Sequence, residues 1–297
     1  MNLGIRSLSL LAATVVVCVA WAGDKLTGKR THVEAVIPLY LSSSRVLVMM
    51  RLGDHSPSPV VFDTGTNDNV LDTVYAEQFN LPRIGPSTST DGSTGRPVPG
   101  YQTRLVGVQL GGIPIADAPA NVFDYHSTDE VGIFGPNSFP QKLVLLDLRN
   151  AELRILSGSA VDTMDGPGAP YLGEGAAGLP SLQVELPSGV VHAILDTGND
   201  SALLLPLEFS EKLSLAGGLE QIGSVVSASG SQPMYEAQIA GDIRIGAITV
   251  NNPTIRFIKG GYPNVGLPLL RQMTLAFDPT DGRTWVIDDT ASNAARE

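Results

Sequence analysis

The tripeptide Asp-Thr-Gly occurs twice in this chain, and each copy lies between two apolar runs. The copies are Asp63-Thr64-Gly65 and Asp196-Thr197-Gly198. In a chain of 297 residues, one such match arises by chance at a rate of roughly one in thirty, so a single copy carries little weight. Two copies in similar surroundings suggest that a larger unit is repeated.

Landmarks downstream of each triplet recur at matching distances. A tyrosine follows the two aspartates by 38 and 39 residues, a glycine by 48 and 50, a second glycine by 72 and 70, and an aspartate by 84 and 82. These pairs are Tyr101 with Tyr235, Gly111 with Gly246, Gly135 with Gly266, and Asp147 with Asp278. Counting the triplet, five landmarks keep their order within two residues, which predicts a duplicated domain.

Hydrophobic periodicity favours β-strands over most of the chain. Apolar residues alternate over residues 105–115 and 239–250, and such alternation is typical of half-buried strands. Helical periodicity is confined to short segments at 73–80 and 207–213. The 32 glycines and 21 prolines favour many turns. We therefore predict an all-β fold.

The repeat and the composition together predict two lobes. The first covers residues 31–158 and the second residues 171–289. Between them, residues 159–170 are rich in Gly, Pro, Ala and Asp, which is typical of a linker. Residues 23–30 and 290–297 are predicted to be tails.

The amino-terminal 22 residues have the features of a secretory signal peptide. Arg6 precedes an apolar run from Leu8 to Ala22, and Ala20-Trp21-Ala22 fits a cleavage site. The run has about 15 residues, fewer than the roughly 20 that span a bilayer. We expect cleavage, loss of the only cysteine, Cys18, and a periplasmic or secreted protein. A retained membrane anchor is the alternative.

Charge and composition argue against several classes of partner and cofactor. The formal net charge is −11, and without a basic stripe such a chain repels nucleic acid and anionic membranes. The four histidines lack zinc-ligand spacing. Residues 173–178 spell a dinucleotide-binding fingerprint, but Pro180 follows where a helix should open. We expect no nucleic acid, no membrane after signal cleavage, no metal and no cofactor.

The two aspartates carry the predicted chemistry. If the repeat brings Asp63 and Asp196 together across a pseudo-twofold axis, both carboxyl groups cannot ionise at contact distance, and the pair holds one proton over a broad acidic range. The charged member can deprotonate a water, and the protonated member can polarise a carbonyl group. The glycines of the triplets allow close approach, and the threonine hydroxyls can bond across the axis.

With these motifs the chain resembles the aspartic peptidases, specifically the retropepsin-like bacterial group with both lobes in one chain. The motifs are Phe62-Asp63-Thr64-Gly65-Thr66, Leu195-Asp196-Thr197-Gly198-Asn199, Ile133-Phe134-Gly135 and Val265-Gly266-Leu267. The resemblance implies two homologous β-barrel lobes with the active site at their junction. It also implies a catalytic pair, Asp63 and Asp196, supported by Thr64, Gly65, Thr66, Thr197, Gly198 and Asn199. Asn199 departs from the Ser, Thr or Ala usual in the family.

The resemblance further implies residues that contact the substrate. Asp200 corresponds to a family aspartate that binds substrate backbone, although a solvated turn residue is an equal reading. A flap hairpin is expected from each lobe, at residues 88–95 and 227–231. The corresponding candidates for substrate contact are Asp91, Gly92, Ser229 and Gly230.

The predicted function is acid-favoured endoproteolysis of an extended peptide by a monomer whose single chain supplies both aspartates. Two alternatives stay open. The chain could be a non-catalytic peptide-binding module that keeps the peptidase fold, or a structural envelope protein whose lobes only stabilise each other. The last alternative predicts that no cleft lies at the lobe junction.

Overall fold

The computed structural model describes residues 32–92, 94–124, 129–157, 164–173 and 178–287. Within these ranges nearly every regular element is a β-strand, in agreement with the alternating apolar pattern. The predicted signal peptide and both predicted tails lie outside the described residues, as do residues 159–163 of the predicted linker. None of the described helices is long and apolar enough to cross a membrane.

The strands are short and follow one another through turns. The first half contains β1 (His32–Pro38), β2 (Tyr40–Leu41), β3 (Val46–Leu52), β4 (Ser58–Phe62), β5 (Val70–Asp72), β6 (Gly85–Thr90), β7 (Pro97–Leu105), β8 (Val108–Leu110), β9 (Ile113–Pro114), β10 (Ala118–Phe123), β11 (Gly132–Phe134), β12 (Leu143–Asp147) and β13 (Glu152–Ser157). The second half contains β14 (Ala169–Pro170), β15 (Ser181–Leu186), β16 (Gly189–Asp196), β17 (Leu203–Pro206), β18 (Glu220–Ser227), β19 (Gly230–Gln238), β20 (Asp242–Ile245), β21 (Ile248–Asn251), β22 (Thr254–Ile258), β23 (Asn264–Gly266), β24 (Thr274–Asp278) and β25 (Arg283–Ile287).

The few helices are one or two turns long. Among the described residues they are α1 (Thr73–Gln78), α2 (Leu267–Leu270) and two 3₁₀ helices at Pro136–Ser138 and Leu207–Glu211. Helix α1 begins after Asp72, whose carboxylate accepts the Val74 N–H at 2.8 Å and so caps a free amide of the first turn. Both segments with helical periodicity are therefore helical, although the second is a 3₁₀ helix.

Two of the three sheets have the same strand order. The ten-stranded sheet runs β6-β7-β10-β5-β11-β4-β3-β8-β9, with β2 paired to β3, and the nine-stranded sheet runs β18-β19-β22-β17-β23-β16-β15-β20-β21. The strands that precede the two Asp-Thr-Gly triplets, β4 and β16, occupy the same place in this order. Each pairs in parallel with a short strand, β11 or β23.

The third sheet joins both halves of the chain. Its order is β1-β13-β12-β24-β25-β14, and its central pairing of β12 with β24 links residues 144–147 to residues 274–277. Strand β14 occupies the last two residues of the predicted linker, where Ala169 pairs with Thr284. The halves are therefore connected by a continuous ladder of hydrogen bonds as well as by the covalent chain.

Burial explains why the triplets are held rigidly. Strand β3 buries every second residue, whereas Val60, Val61 and Phe62 at the end of β4 are all buried. Leu195, directly before Asp196, is likewise inaccessible to solvent. Each triplet thus follows a strand end that is packed into the core, which limits where the following loop can move.

Candidate active site

The carboxyl groups of Asp63 and Asp196 lie in contact at the junction of the two triplet loops, and a hydrogen bond joins them. The backbone around them is nearly symmetric. The Gly65 N–H donates to Asp63 Oδ1 at 2.7 Å, and the Gly198 N–H donates to Asp196 Oδ1 at 2.8 Å. Each carboxyl group is therefore oriented by the amide two residues further along its own loop.

The two triplet glycines leave room for the opposite carboxyl group. A Cβ atom built on Gly65 would lie 2.6 Å from Asp196 Cγ, and one on Gly198 would lie 2.7 Å from Asp63 Oδ2. Neither glycine has a positive φ, so its backbone conformation is open to other residues. The reason for glycine at these positions is close approach between the loops.

Reciprocal hydrogen bonds of Thr64 and Thr197 lock the loops together. Thr64 Oγ1 donates to the Leu195 carbonyl and accepts the Thr197 N–H, at 2.7 and 3.1 Å. Thr197 Oγ1 donates to the Phe62 carbonyl and accepts the Thr64 N–H, at 2.7 and 3.0 Å. Both side chains are fully buried, and loss of one hydroxyl would leave two buried backbone groups without partners.

The electrostatic environment favours the protonated form of Asp63. Burial at the bottom of the cleft and the neighbouring charge of Asp196 raise the pKa of Asp63 well above its ordinary value, and the hydrogen bond that protonated Asp63 donates to Asp196 acts in the same direction. The N–H groups of Gly65 and Gly198 oppose this by lowering the pKa. Because desolvation and the adjacent charge prevail, one proton stays on the pair beyond the pH at which an isolated aspartate ionises.

An amide contacts one aspartate of the pair. Asn264 Nδ2 donates to Asp196 Oδ2 at 2.6 Å, and the Asn264 side chain is itself oriented by Asn199, whose Nδ2 donates to Asn264 Oδ1 at 2.8 Å. Asn199 was predicted to support the catalytic loop. In the structure its side chain contacts Asn264, and Asn264 in turn contacts Asp196. Thr66, its counterpart in the first half, directs its hydroxyl to the Asp68 carbonyl at 3.0 Å.

The dyad opens into a cleft of about 860 Å³. Its walls come from both halves, and its roof from the β6–β7 and β18–β19 hairpins, which lie at the two positions predicted for flaps. A cleft of this volume falls within the range of ligand-binding pockets. Its presence argues against the alternative in which the two halves serve only to stabilise each other.

The tips of the two hairpins touch each other. Asp91 Oδ2 accepts the Ser229 N–H at 2.9 Å, and the hydroxyls of Thr94 and Ser229 lie 2.6 Å apart. Asp91 and Gly92 line the cleft, whereas Ser229 makes these tip contacts and Gly230 lies in the turn with a φ of 124°. The four predicted substrate-contact residues are thus all at the hairpin tips, and the structure adds a direct bond between the tips.

Asp200 lies at the cleft wall and is held by a cation. Arg256 Nη1 lies 2.9 Å from Asp200 Oδ1, and Arg256 also approaches Glu236 at 3.8 Å. Arg256 itself lines the cleft. The Asp200 side chain is still 55% exposed in this ion pair, and its contact with substrate backbone stays a prediction.

Sequence reasoning missed Asn264 and Arg256. The signal for Asn264 was available, because it directly precedes Val265-Gly266, where the first half has Ile133 before Phe134-Gly135. A polar residue in an otherwise apolar repeat position indicates a specific partner. For Arg256 the sequence carried no comparable signal, since its pairing with Asp200 depends on the parallel contact of β17 with β22.

The comparison with known families agrees with this site. A family model described as aspartyl protease matches residues 48–137, a stretch that includes the first triplet and its hairpin. No curated protein sequence matches the chain. Over residues 48–137, this chain is similar to the aspartyl protease family.

Proposed function

We propose that this protein is an aspartic endopeptidase with Asp63 and Asp196 as its catalytic pair. The observation that carries the proposal is the hydrogen bond between the two carboxyl groups at the bottom of a cleft that two hairpins cover. A buried pair of this kind retains one proton at acidic pH, which gives it an acid and a base side by side.

The geometry supports a direct attack of water on the peptide bond. The ionised carboxylate takes a proton from a water between the two groups, while the protonated carboxyl donates to the carbonyl oxygen of the substrate. The water oxygen then bonds to the carbonyl carbon and forms a tetrahedral intermediate. As the intermediate collapses, the C–N bond breaks and the leaving nitrogen receives a proton from the pair. Two carboxyl groups are sufficient for each of these steps.

The same proposal includes two homologous β-barrel lobes, residues 31–158 and 171–289, related by a pseudo-twofold axis through the pair. The identical strand orders of the two larger sheets support it, and so do the reciprocal bonds of Thr64 and Thr197. Because one chain carries both aspartates, we expect the monomer to be active.

We propose an extended segment of a peptide or unfolded protein as the substrate. The cleft is lined by residues of β6 and β18, one strand from each hairpin that covers it, and such strands offer backbone groups to an extended chain. The wall from the second half is the more apolar, with Leu204, Ile222, Val226 and Tyr262. We expect apolar side chains near the cleaved bond to be favoured.

The test is cleavage of a peptide library at acidic pH by the protein and by two variants, Asp63→Asn and Asp196→Asn. Each variant removes one ionisable carboxyl at constant size, so kcat/KM should fall by roughly 10³-fold or more. Asp242→Asn, at an exposed position on β20 away from the cleft, is the matched control and should cleave normally. Full activity in either dyad variant contradicts the proposal. Tight binding of peptides by the unmodified protein without cleavage at any acidic pH would instead identify a binding module.

A further inference from the structure

The two aspartates are not equivalent, because among the described residues a side-chain amide donates to Asp196 and none donates to Asp63. Asn264 pairs with Ile194 and Leu204 in β16 and β17, and the residue with the same pairings in the first half is Ile133, opposite Val61 and Val70. Ile133 has no hydrogen-bond donor in its side chain. At this one position, therefore, the repeat offers a donor to Asp196 and an apolar group to Asp63.

The orientation of the Asn264 amide is determined by its neighbours. Asn199 Nδ2 donates to Asn264 Oδ1 at 2.8 Å, and Asn199 Oδ1 in turn accepts from the N–H and the hydroxyl of Ser201, at 2.9 and 2.7 Å. Because Asn264 Oδ1 already accepts a hydrogen bond, its Nδ2 is the group that must face Asp196. Asn264 is also buried, with only 6% of its surface exposed, so water competes weakly for this bond.

Such a donor has a defined electrostatic effect. A hydrogen bond donated to a carboxylate stabilises the ionised form more than the neutral form. Asp196 Oδ2 accepts from Asn264 at 2.6 Å and Asp196 Oδ1 accepts from Gly198 at 2.8 Å. On the other side, burial and the adjacent charge raise the pKa of Asp63. Asp63 also accepts a backbone N–H, from Gly65 at 2.7 Å, so the donor that distinguishes the two carboxyl groups is Asn264, and it favours the negative charge on Asp196.

We propose that Asn264 is a positioning residue that keeps the negative charge of the singly protonated pair on Asp196 and the proton on Asp63. This inference rests on the proposed peptidase function. Asp196 then deprotonates the attacking water, and Asp63 donates to the carbonyl oxygen of the substrate. Asn199 and Ser201 contribute by fixing the Asn264 amide.

Other charged groups near the pair are unchanged by the test below. Along the cleft these are Asp68, Asp91, Arg45 and the Asp200–Arg256 ion pair. Arg45 lies 3.8 Å from Glu130. Because all of them are present both in the unmodified protein and in the variants, a change in the pH dependence can be attributed to the Asn264 amide.

The experiment compares the pH dependence of kcat/KM for the unmodified protein and for Asn264→Ile, which copies the residue of the first half. Asn264 stabilises every form of the pair in which Asp196 is charged, so its loss makes the first proton harder to remove. The acid limb should move upward by about one pH unit, while the alkaline limb stays nearly in place. At the optimum, kcat should fall and KM should change little, because the lost bond is to Asp196 and not to substrate.

A second variant keeps the test independent of how well Asn264→Ile folds. Asn199→Ala removes the bond that orients the amide, and it should shift the acid limb in the same direction by a smaller amount. The matched control is Asn150→Ala. Asn150 also donates its amide to a buried carboxylate, Asp147, at 2.7 Å, but Asp147 does not line the cleft, and the acid limb of this variant should stay in place.

The outcomes separate the inference from the function on which it rests. If the unmodified protein cleaves peptides and both Asn264→Ile and Asn199→Ala keep its acid limb, the inference is wrong and the peptidase stands. The inference is also wrong if Asn150→Ala shifts the limb as far as Asn264→Ile does. If Asp196→Asn cleaves normally, the proposed function itself fails.

Discussion

At the scale of single residues, the site depends on how closely two loops approach. The sequence predicted that Asp63 and Asp196 would meet, and the structure brings their carboxyl groups into contact. It also shows why glycine is needed at positions 65 and 198. A side chain there would collide with the opposite carboxyl group, whereas the backbone conformation is one that other residues can adopt. A methyl group at either position therefore acts on the dyad directly.

Gly65→Ala should lower kcat/KM by about 10²-fold or more, since displacing a reacting group by around 1 Å can have that effect. The new Cβ would lie 2.6 Å from Asp196 Cγ, so the carboxyl group must move. Gly85→Ala is the matched control, because its Cβ meets no heavy atom within 4 Å. Peptide cleavage assays on both variants test this prediction. Full activity of Gly65→Ala would show that the Asp196 carboxyl group tolerates a methyl group at position 65.

Asn264 illustrates what the sequence could and could not predict at this scale. The two triplets and the later apolar-Gly segments were visible because both halves repeat them. Asn264 was not recognised, since its role depends on the contact of β23 with β16, and strand register is determined by tertiary packing. The sequence nevertheless shows that Asn264 stands where the first half of the repeat has an apolar residue, Ile133.

At the scale of elements, the two hairpins form the roof of the cleft. The resemblance to the aspartic peptidases implied a flap hairpin at residues 88–95 and another at residues 227–231, and the β6–β7 and β18–β19 hairpins lie there. The bond between Asp91 and Ser229 could not be predicted, because the two residues are 138 apart in the chain and nothing local indicates the contact. This bond and the contact between the Thr94 and Ser229 hydroxyls join the two hairpin tips.

Asp91→Ala should loosen the roof. The variant removes the carboxylate that accepts the Ser229 N–H. A hydrogen bond to a charged group contributes roughly 1.5–3 kcal/mol. Hydrogen exchange of the Ser229 amide should therefore become about tenfold faster or more. KM should rise more than kcat falls, since the hairpins lie over the cleft and not on the reacting atoms. Ser231→Ala, exposed on the same hairpin, is the control. Unchanged exchange at Ser229 in the Asp91 variant would contradict this role.

At the scale of the whole molecule, the halves are less separate than the sequence suggested. The repeat predicted a duplicated domain, and the described residues form two sheets of the same strand order, but alternation along a chain does not reveal which distant strands pair. The last two residues of the predicted linker form a strand, β14, and the shared six-stranded sheet was not predicted. This sheet and the reciprocal bonds of Thr64 and Thr197 both join the two halves.

The most direct test of the account is the pH dependence of peptide cleavage by the unmodified protein, measured as kcat/KM from about pH 2 to about pH 9. Burial and the charge of Asp196 raise the pKa of Asp63, so the proton that catalysis needs stays on the pair above the pH at which an ordinary aspartate ionises. Activity is lost as the pH rises through that raised value, and it is lost at low pH when the pair takes up its second proton. The account predicts a bell-shaped profile with its maximum on the acid side of neutrality. A rate that keeps rising into alkaline pH would contradict it.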